Sequence, residues 1–270
     1  MKISARFPFL ALLLLLLSAC ASDQAALQQE EPVEALYNKA LSELEAGSYV
    51  KAAQAFDEVE RQHPYSVWAT KAQIMGAYAS YQANKYDDAI LAAERFIKLH
   101  PGHRDAPYAY YLVAISYYEQ ISDVGRDQKL TQLALDALRE LVKRYPDTEY
   151  ARDAKLKIDL TLDHLAGKEM AIGRYYLRQK RYVGAINRFR TVIEKYQMTT
   201  HVPEALERLT EAYLALGVEK EAQAAAAVLG YNYPGSDWYA DAYALLKGKN
   251  LSPKDSEDSW ISRLFKNPFS

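Results

Sequence analysis

Cysteine is almost absent from this chain. Cys20 is the only one in 270 residues, so no disulfide scaffold can form, even in a compartment that permits one. Glycine and proline are sparse, at 11 and 10 residues. Ala, Leu, Glu and Lys are plentiful instead, the composition of a helical protein. The formal net charge is −2 with both signs mixed, which removes the basic excess that nucleic acid attracts. The apolar run from Phe7 to Leu17 covers 11 residues, and a membrane-spanning helix needs about 20. No G-x-S-x-G, phosphate-binding loop, H-E-x-x-H or glycine-rich dinucleotide turn occurs. His100 and His103 flank a Pro-Gly turn without enough further ligands for a metal. His63 and His100 precede helix-ending prolines, where a cation suits a helix C-terminus. The expectation is a protein that is not an enzyme, with no catalytic residue, no cofactor, no metal and no nucleic acid.

What is present begins with tyrosine. There are 22, against 7 Phe and 3 Trp. A ring with a polar tip suits half-exposed binding surfaces. The N-terminus places Lys2 and Arg6 before the apolar run and then Leu17-Ser18-Ala19-Cys20. That is a secretory signal layout, and it resembles the bacterial lipoprotein cleavage box. Residues 1–19 are then a cleaved signal peptide and Cys20 carries the lipid. Ala21 and Ser22 follow rather than an acid, which by resemblance to Gram-negative lipoproteins points to the outer membrane. Two or more acyl chains, palmitate among them, anchor a protein stably. Residues 20–32 read as a flexible tether.

A repeat follows. Ala52 to Ala89, Pro64 to Pro101 and Ala185 to Ala222 are each separated by 37 residues. Small residues at Ala40, Ala77, Ala114 and Gly173, then at Ala52, Ala89, Ala134, Ala185 and Ala222, let paired helices approach closely. Phe56, Leu138 and Phe189 fill the space beyond. A Pro closes most units by pushing the residue before it out of the α region. The pattern resembles the tetratricopeptide repeat. The fold expected is all-α, a superhelical array of about five helix pairs. Repeats 1–3 occupy 33–147, with a polar insertion at 121–129. A linking helix occupies 148–165, either ending there or continuing toward unit four, with a kink expected at Gly167. Repeats 4–5 and a capping helix opened by Ser236 or Asp237 occupy 166–247. The tail 248–270 carries Pro253, Asp255, Glu257 and Asp258 and is expected to be disordered. Trp260, Ile261, Leu264, Phe265 and Phe269 within it are unusual for a bland tail and fit a short helix that docks on a partner.

In tetratricopeptide arrays the first helix of each pair lines a concave face. Carried onto units one to three, the lining positions include Tyr37, Leu41, Leu44, Ile74, Tyr78, Tyr81, Tyr108, Tyr111, Ile115 and Tyr118. This is an apolar, tyrosine-rich groove suited to an extended or aromatic-ended peptide. Units four and five offer Arg174, Arg178, Glu204, Glu207 and Glu211 instead, a charged face suited to a folded partner.

Tyr49-x2-Ala52-x3-Phe56 with Arg61-Gln62-His63-Pro64-Tyr65-Ser66 is one of three distinctive segments. The others are Tyr86-x2-Ala89 through Arg95 to Pro101, and Leu141-Val142-Lys143-Arg144-Tyr145-Pro146-Asp147-Thr148-Glu149-Tyr150. Together with the lipid cysteine they resemble the BamD (ComL) family over most of the mature chain. The resemblance implies a non-catalytic lipoprotein of the outer-membrane β-barrel assembly machine, facing the periplasm. Its C-terminal units would bind periplasmic domains of the barrel-forming core subunit, beside other lipoprotein subunits. It would help receive unfolded outer-membrane proteins, through a C-terminal signal with an aromatic end. The insertion at 121–129 is short, so no family contact through a longer loop is carried over. A tetratricopeptide scaffold lipoprotein for cell-envelope or peptidoglycan maintenance is the reading of another class.

Overall fold

The computed structural model describes residues 31–266. Cys20, the signal segment, most of the tether and Phe269 lie outside the described residues. Twelve helices are present among the described residues and no strand. They are α1 (Val33–Glu45), α2 (Tyr49–Gln62), α3 (Val67–Gln82), α4 (Tyr86–Leu99), α5 (Ala106–Glu119) and α6 (Lys129–Arg144). Then follow α7 (Glu149–Arg178), α8 (Tyr182–Lys195), α9 (Val202–Ala215), α10 (Glu219–Asn232), α11 (Asp237–Lys247) and α12 (Trp260–Lys266). Up to α11 each helix packs on the next, and α1, α3, α5 and α7 also touch in sequence to form one continuous layer. The chain is therefore an array of helix hairpins, as the repeat pattern requires.

The turns explain the regularity. Within hairpins the chain reverses through a left-handed residue at Gly47, Asn84, Lys180 or Gly217, with φ of 72°, 57°, 56° and 74°. Between hairpins His63, His100, Tyr145, Tyr196 and Tyr233 all leave the helix with φ near −130°. Tyr196 does so although Gln197 follows it, so proline favours this exit without being required for it. Ser66, Thr148 and Ser236 then cap α3, α7 and α11 through side-chain oxygens that accept a backbone N–H.

The small residues lie where helices meet. Ala40, Ala52, Ala77, Ala89, Ala114, Ala134, Ala185 and Ala222 are fully buried, with Phe56, Phe96, Leu138 and Phe189 beside them. Gly173 is the tightest of these positions. A Cβ there would stand 2.8 Å from Phe189 Cδ1 and Cζ, and closer still to Cε1. That ring is itself fully buried and has no room to retreat.

Two elements differ from the sequence reading. The linking helix follows the continuing one of its two expected courses, α7 running 30 residues into the fourth hairpin, but without the expected kink. At Gly167 the helix is uninterrupted, and the missing side chain instead admits His201 and Val124, at 3.2 Å and 3.5 Å from where a Cβ would sit. The tail is also not disordered over its described part. Gln223 Nε2 donates to Ser252 O at 2.8 Å, and Ser259 Oγ donates to Glu221 Oε2 at 2.7 Å. Trp260 Nε1 donates to Tyr213 OH at 3.0 Å, under the guanidinium of Arg190. Ile261 is fully buried, and Leu264 and Phe265 pack on the same core. Of the apolar residues that suggested docking on a partner, Trp260, Ile261, Leu264 and Phe265 thus dock on the array's own last hairpins.

Alanine normally gains up to about 1 kcal/mol over glycine inside a helix. Gly173→Ala is expected to do the reverse and lose about 1–3 kcal/mol, because the methyl collides with Phe189. Gly76→Ala, whose Cβ meets its nearest neighbour at an ordinary 3.5 Å, is expected to be neutral or stabilising. The urea midpoint of Gly173→Ala should therefore fall, while that of Gly76→Ala should hold or rise.

Candidate interaction surfaces

The sequence-expected groove divides in three. Tyr78, Tyr108 and Tyr111 form a chain of half-buried rings: Tyr78 to Tyr108 is 6.5 Å between centroids and Tyr108 to Tyr111 is also 6.5 Å. Tyr81 lies at its edge, 5.8 Å from the Tyr86 ring, with its hydroxyl 3.5 Å from Glu119. Tyr118 lies beneath the ammonium of Lys157 and lines a depression with Ile121, Leu160 and His164. Tyr37 stands elsewhere: its ring packs on Phe56 and Trp68, with Leu44 in the same cluster and Leu41 half-buried on the same helix. Ile74 and Ile115 are 6% and 5% exposed and belong to the core with Phe96 and Leu112. They support the groove from behind and offer no surface of their own.

The structure adds residues from α7 that the repeat register passed over. Tyr150 stacks 5.4 Å from Tyr108 and 5.2 Å from Tyr111. Asp153 accepts from Tyr111 OH at 2.8 Å and from Lys157 Nζ at 3.2 Å. Tyr150, Asp153 and Lys157 are spaced by three and four, so one helix face carries all of them. That spacing was the available signal, hidden because this stretch was read as a connector. Burial holds the Tyr108 and Tyr111 hydroxyls well above the usual phenol range, Tyr111 further through Asp153. Tyr81 is pushed up to about 12 by burial and then by Glu119. These hydroxyls therefore remain protonated donors at any physiological pH.

The charged face is largely paired with itself. Arg174 Nη1 donates to both oxygens of Glu204, at 3.0 Å and 2.8 Å, and so ties α7 to α9. Arg208, which the register also passed over, donates to Glu211 at 3.0 Å and lies 3.7 Å from Glu204 and 3.2 Å from Glu207. Its guanidinium covers the ring of Trp238 from α11. The glutamates flanking Arg208 at one-turn spacing were the signal for this hub. Arg178 is exposed, and no ion pair forms to it among the described residues. Glu207 is only 3% exposed, and burial pushes its carboxyl up to about 7.

The Outer membrane lipoprotein family model, YfiO, matches residues 29–229. A protein of Caulobacter vibrioides named outer membrane protein assembly factor BamD is 55% identical over 83% of this chain and 74% of its own. One of the same name from Rickettsia prowazekii is 45% identical over 92% and 98%. A third, from Neisseria meningitidis, is 35% identical over 85% and 91%. The chain belongs to the BamD family. Among solved structures, a thermophilic TPR protein of Thermus thermophilus aligns over 78% of this chain and 98% of its own, at 18% identity and a TM-score of 0.37. So slight a likeness adds nothing to what the helices already show.

The BamD family is one of outer-membrane protein assembly factors and not of enzymes. Among the described residues no helix is long and apolar enough to cross a membrane.

Glu207 makes the charged face sensitive to pH. Its carboxyl titrates near 4.5 when unfolded and about 7 when folded. Stability from the neutral acid is thus full below pH 4.5 and is lost as pH rises through 7. Glu207→Gln keeps the shape without the charge. It is expected to raise the thermal midpoint at pH 8, by roughly 1–3 kcal/mol of stability, and to do little at pH 5. Melts of both proteins across that range check the sign.

Proposed function

We propose that this chain is the lipid-anchored, periplasm-facing subunit of the outer-membrane β-barrel assembly machine. Cys20 bears the acyl anchor. The C-terminal hairpins, with Arg174, Arg178, Glu204, Glu207 and Glu211, dock on periplasmic domains of the barrel-forming core subunit, beside other lipoprotein subunits. The face carrying Tyr78, Tyr81, Tyr108, Tyr111 and Tyr118 receives segments of unfolded barrel proteins and hands them on. Family membership supports the assembly role, and the sequence around Cys20 supports the anchor.

The observation that carries the client reading is the contiguity of Tyr78, Tyr108, Tyr111 and Tyr150 on the layer of first helices. Rings half-sunk in a helix layer are already ordered, so they offer contact area at little cost in side-chain entropy. Their hydroxyls can serve the backbone of an extended segment while the ring faces take an aromatic end. The surface needs no reaction to work: it binds, holds and releases.

The triple variant Tyr78→Ser, Tyr81→Ser, Tyr111→Ser is expected to weaken binding of a labelled peptide with a C-terminal aromatic residue by at least about tenfold, or about 1.4 kcal/mol. Lys157 remains to pair Asp153, so circular dichroism should show the helices intact. Unchanged affinity would remove the tyrosines from client binding. For the anchor, Cys20→Ser should move the protein from the membrane to the soluble fraction and abolish palmitate labelling. Recovery of peptidoglycan enzymes with no barrel protein on affinity purification would favour an envelope scaffold instead.

A further inference from the structure

An open depression of about 560 Å³ lies between α9 and α11, lined by Glu207, Arg208, Glu211, Asp241, Leu245 and Lys249 among others. Its charges do not balance locally: Glu207, Glu211 and Asp241 line it against Arg208 and Lys249. Arg174 is taken by Glu204 on the α7 side. Arg208 is committed to Glu211 by a hydrogen bond and to Trp238 by stacking. Its Nε stands 3.2 Å from Glu207 Oε2, yet the geometry makes no hydrogen bond, and both atoms are buried without a partner. Asp241 on α11 adds a further exposed carboxylate to the rim. A nearly inaccessible carboxylate whose one close cation makes no hydrogen bond to it is costly. Either a proton or a donor from outside relieves it.

We propose that this depression is a receptor for the guanidinium of an arginine on a partner chain, with Glu207 at its base and Glu211 and Asp241 at its rim. The proposal rests on the reading that this charged face is a protein-docking face, and it names the chemistry of the contact. A planar fork of donors serves two carboxylates at once, which a compact ammonium cannot do with the same geometry. Ala244 and Leu245 give the arginine stem an apolar wall. A metal ion is a poorer occupant, since among the described residues no group of three or more His, Cys, Asp or Glu side chains is arranged to hold one.

The groups around Glu207 set how binding depends on pH. Burial holds its carboxyl up most; on α9 Arg208 draws it down while Glu211 and then Glu204 hold it up, and Lys249 lines the same depression. Asp241 on α11 also holds it up. An arriving guanidinium favours the charged form, so binding expels a proton while Glu207 is neutral. Affinity therefore rises with pH until the carboxyl is already ionised, above about 7.

The test is a titration of the mature lipidated chain in detergent with N-acetyl-arginine amide. It is read on the indole N–H signals of Trp68, Trp238 and Trp260, with N-acetyl-citrulline amide as the uncharged control. The expected result at pH 8 is a saturable shift of the Trp238 signal alone, with a Kd of about 1 mM, the scale of a single side chain. Binding should weaken about tenfold at pH 6, following the ionised fraction of Glu207, and likewise in Glu207→Gln. The unmoved Trp68 and Trp260 signals report that the variant is folded. No saturable shift at pH 8, an equal shift with citrulline, or full binding by Glu207→Gln would overturn the proposal. No partner protein is involved, so a failure of core-subunit docking would show in affinity purification and leave this titration unchanged.

Discussion

A helix without a break fixes the distance between the tyrosine face and the charged face. α7 supplies Tyr150, Asp153 and Lys157 to the tyrosine face and Arg174 and Arg178 to the charged face. Asp153 and Arg174 are about 32 Å apart along one axis, at 1.5 Å per residue. A helix of that length needs support at its middle, and it has it. Lys168 Nζ donates to the carbonyls of Gly125 and Arg126 in the inserted loop, at 3.1 Å each. Asp163 accepts from the backbone and hydroxyl of Thr200 at 2.9 Å and 2.7 Å. The short loop between α5 and α6 therefore braces the rod from one side and the α8–α9 turn braces it from the other.

The two faces work by different physics. The tyrosine face pairs its charges locally, Asp153 with Lys157, and burial keeps the Tyr81, Tyr108 and Tyr111 hydroxyls protonated. Its contacts are ring area and donors with loose geometric demands, which suits many different unfolded segments. The charged face is a network in which most partners are already assigned, with one carboxylate left over. Such a surface discriminates strongly, since a partner without the matching charge leaves a buried group unserved. On the proposed function, a promiscuous surface and a selective one occupy opposite ends of one rod.

The small-residue register was legible because it is a steric demand: Ala40, Ala77, Ala114 and Gly173 recur wherever two backbones must meet. The tyrosine positions were legible for the same reason, as they lie at fixed steps from those contacts. Register does not report depth, however. Ile74 and Ile115 occupy lining positions yet are buried by the neighbouring hairpin. Nor does it report residues from outside the repeat, which is why Tyr150 and Asp153 were missed. The tail misled through composition: Pro253, Asp255, Glu257 and Asp258 read as a disordered linker. Its strap of Leu251, Trp260 and Ile261 takes its order from Tyr213, Gln223 and Glu221, residues remote in sequence.

The most direct test of two distinct faces on one rod is site-specific photocrosslinking in living cells, with the photoreactive residue placed at position 78 or at position 178. The expected result is a spread of unfolded barrel proteins captured from position 78, and one constant large partner with periplasmic domains captured from position 178. The same single partner at both positions, or clients captured only at position 178, would contradict the division of labour between the two faces.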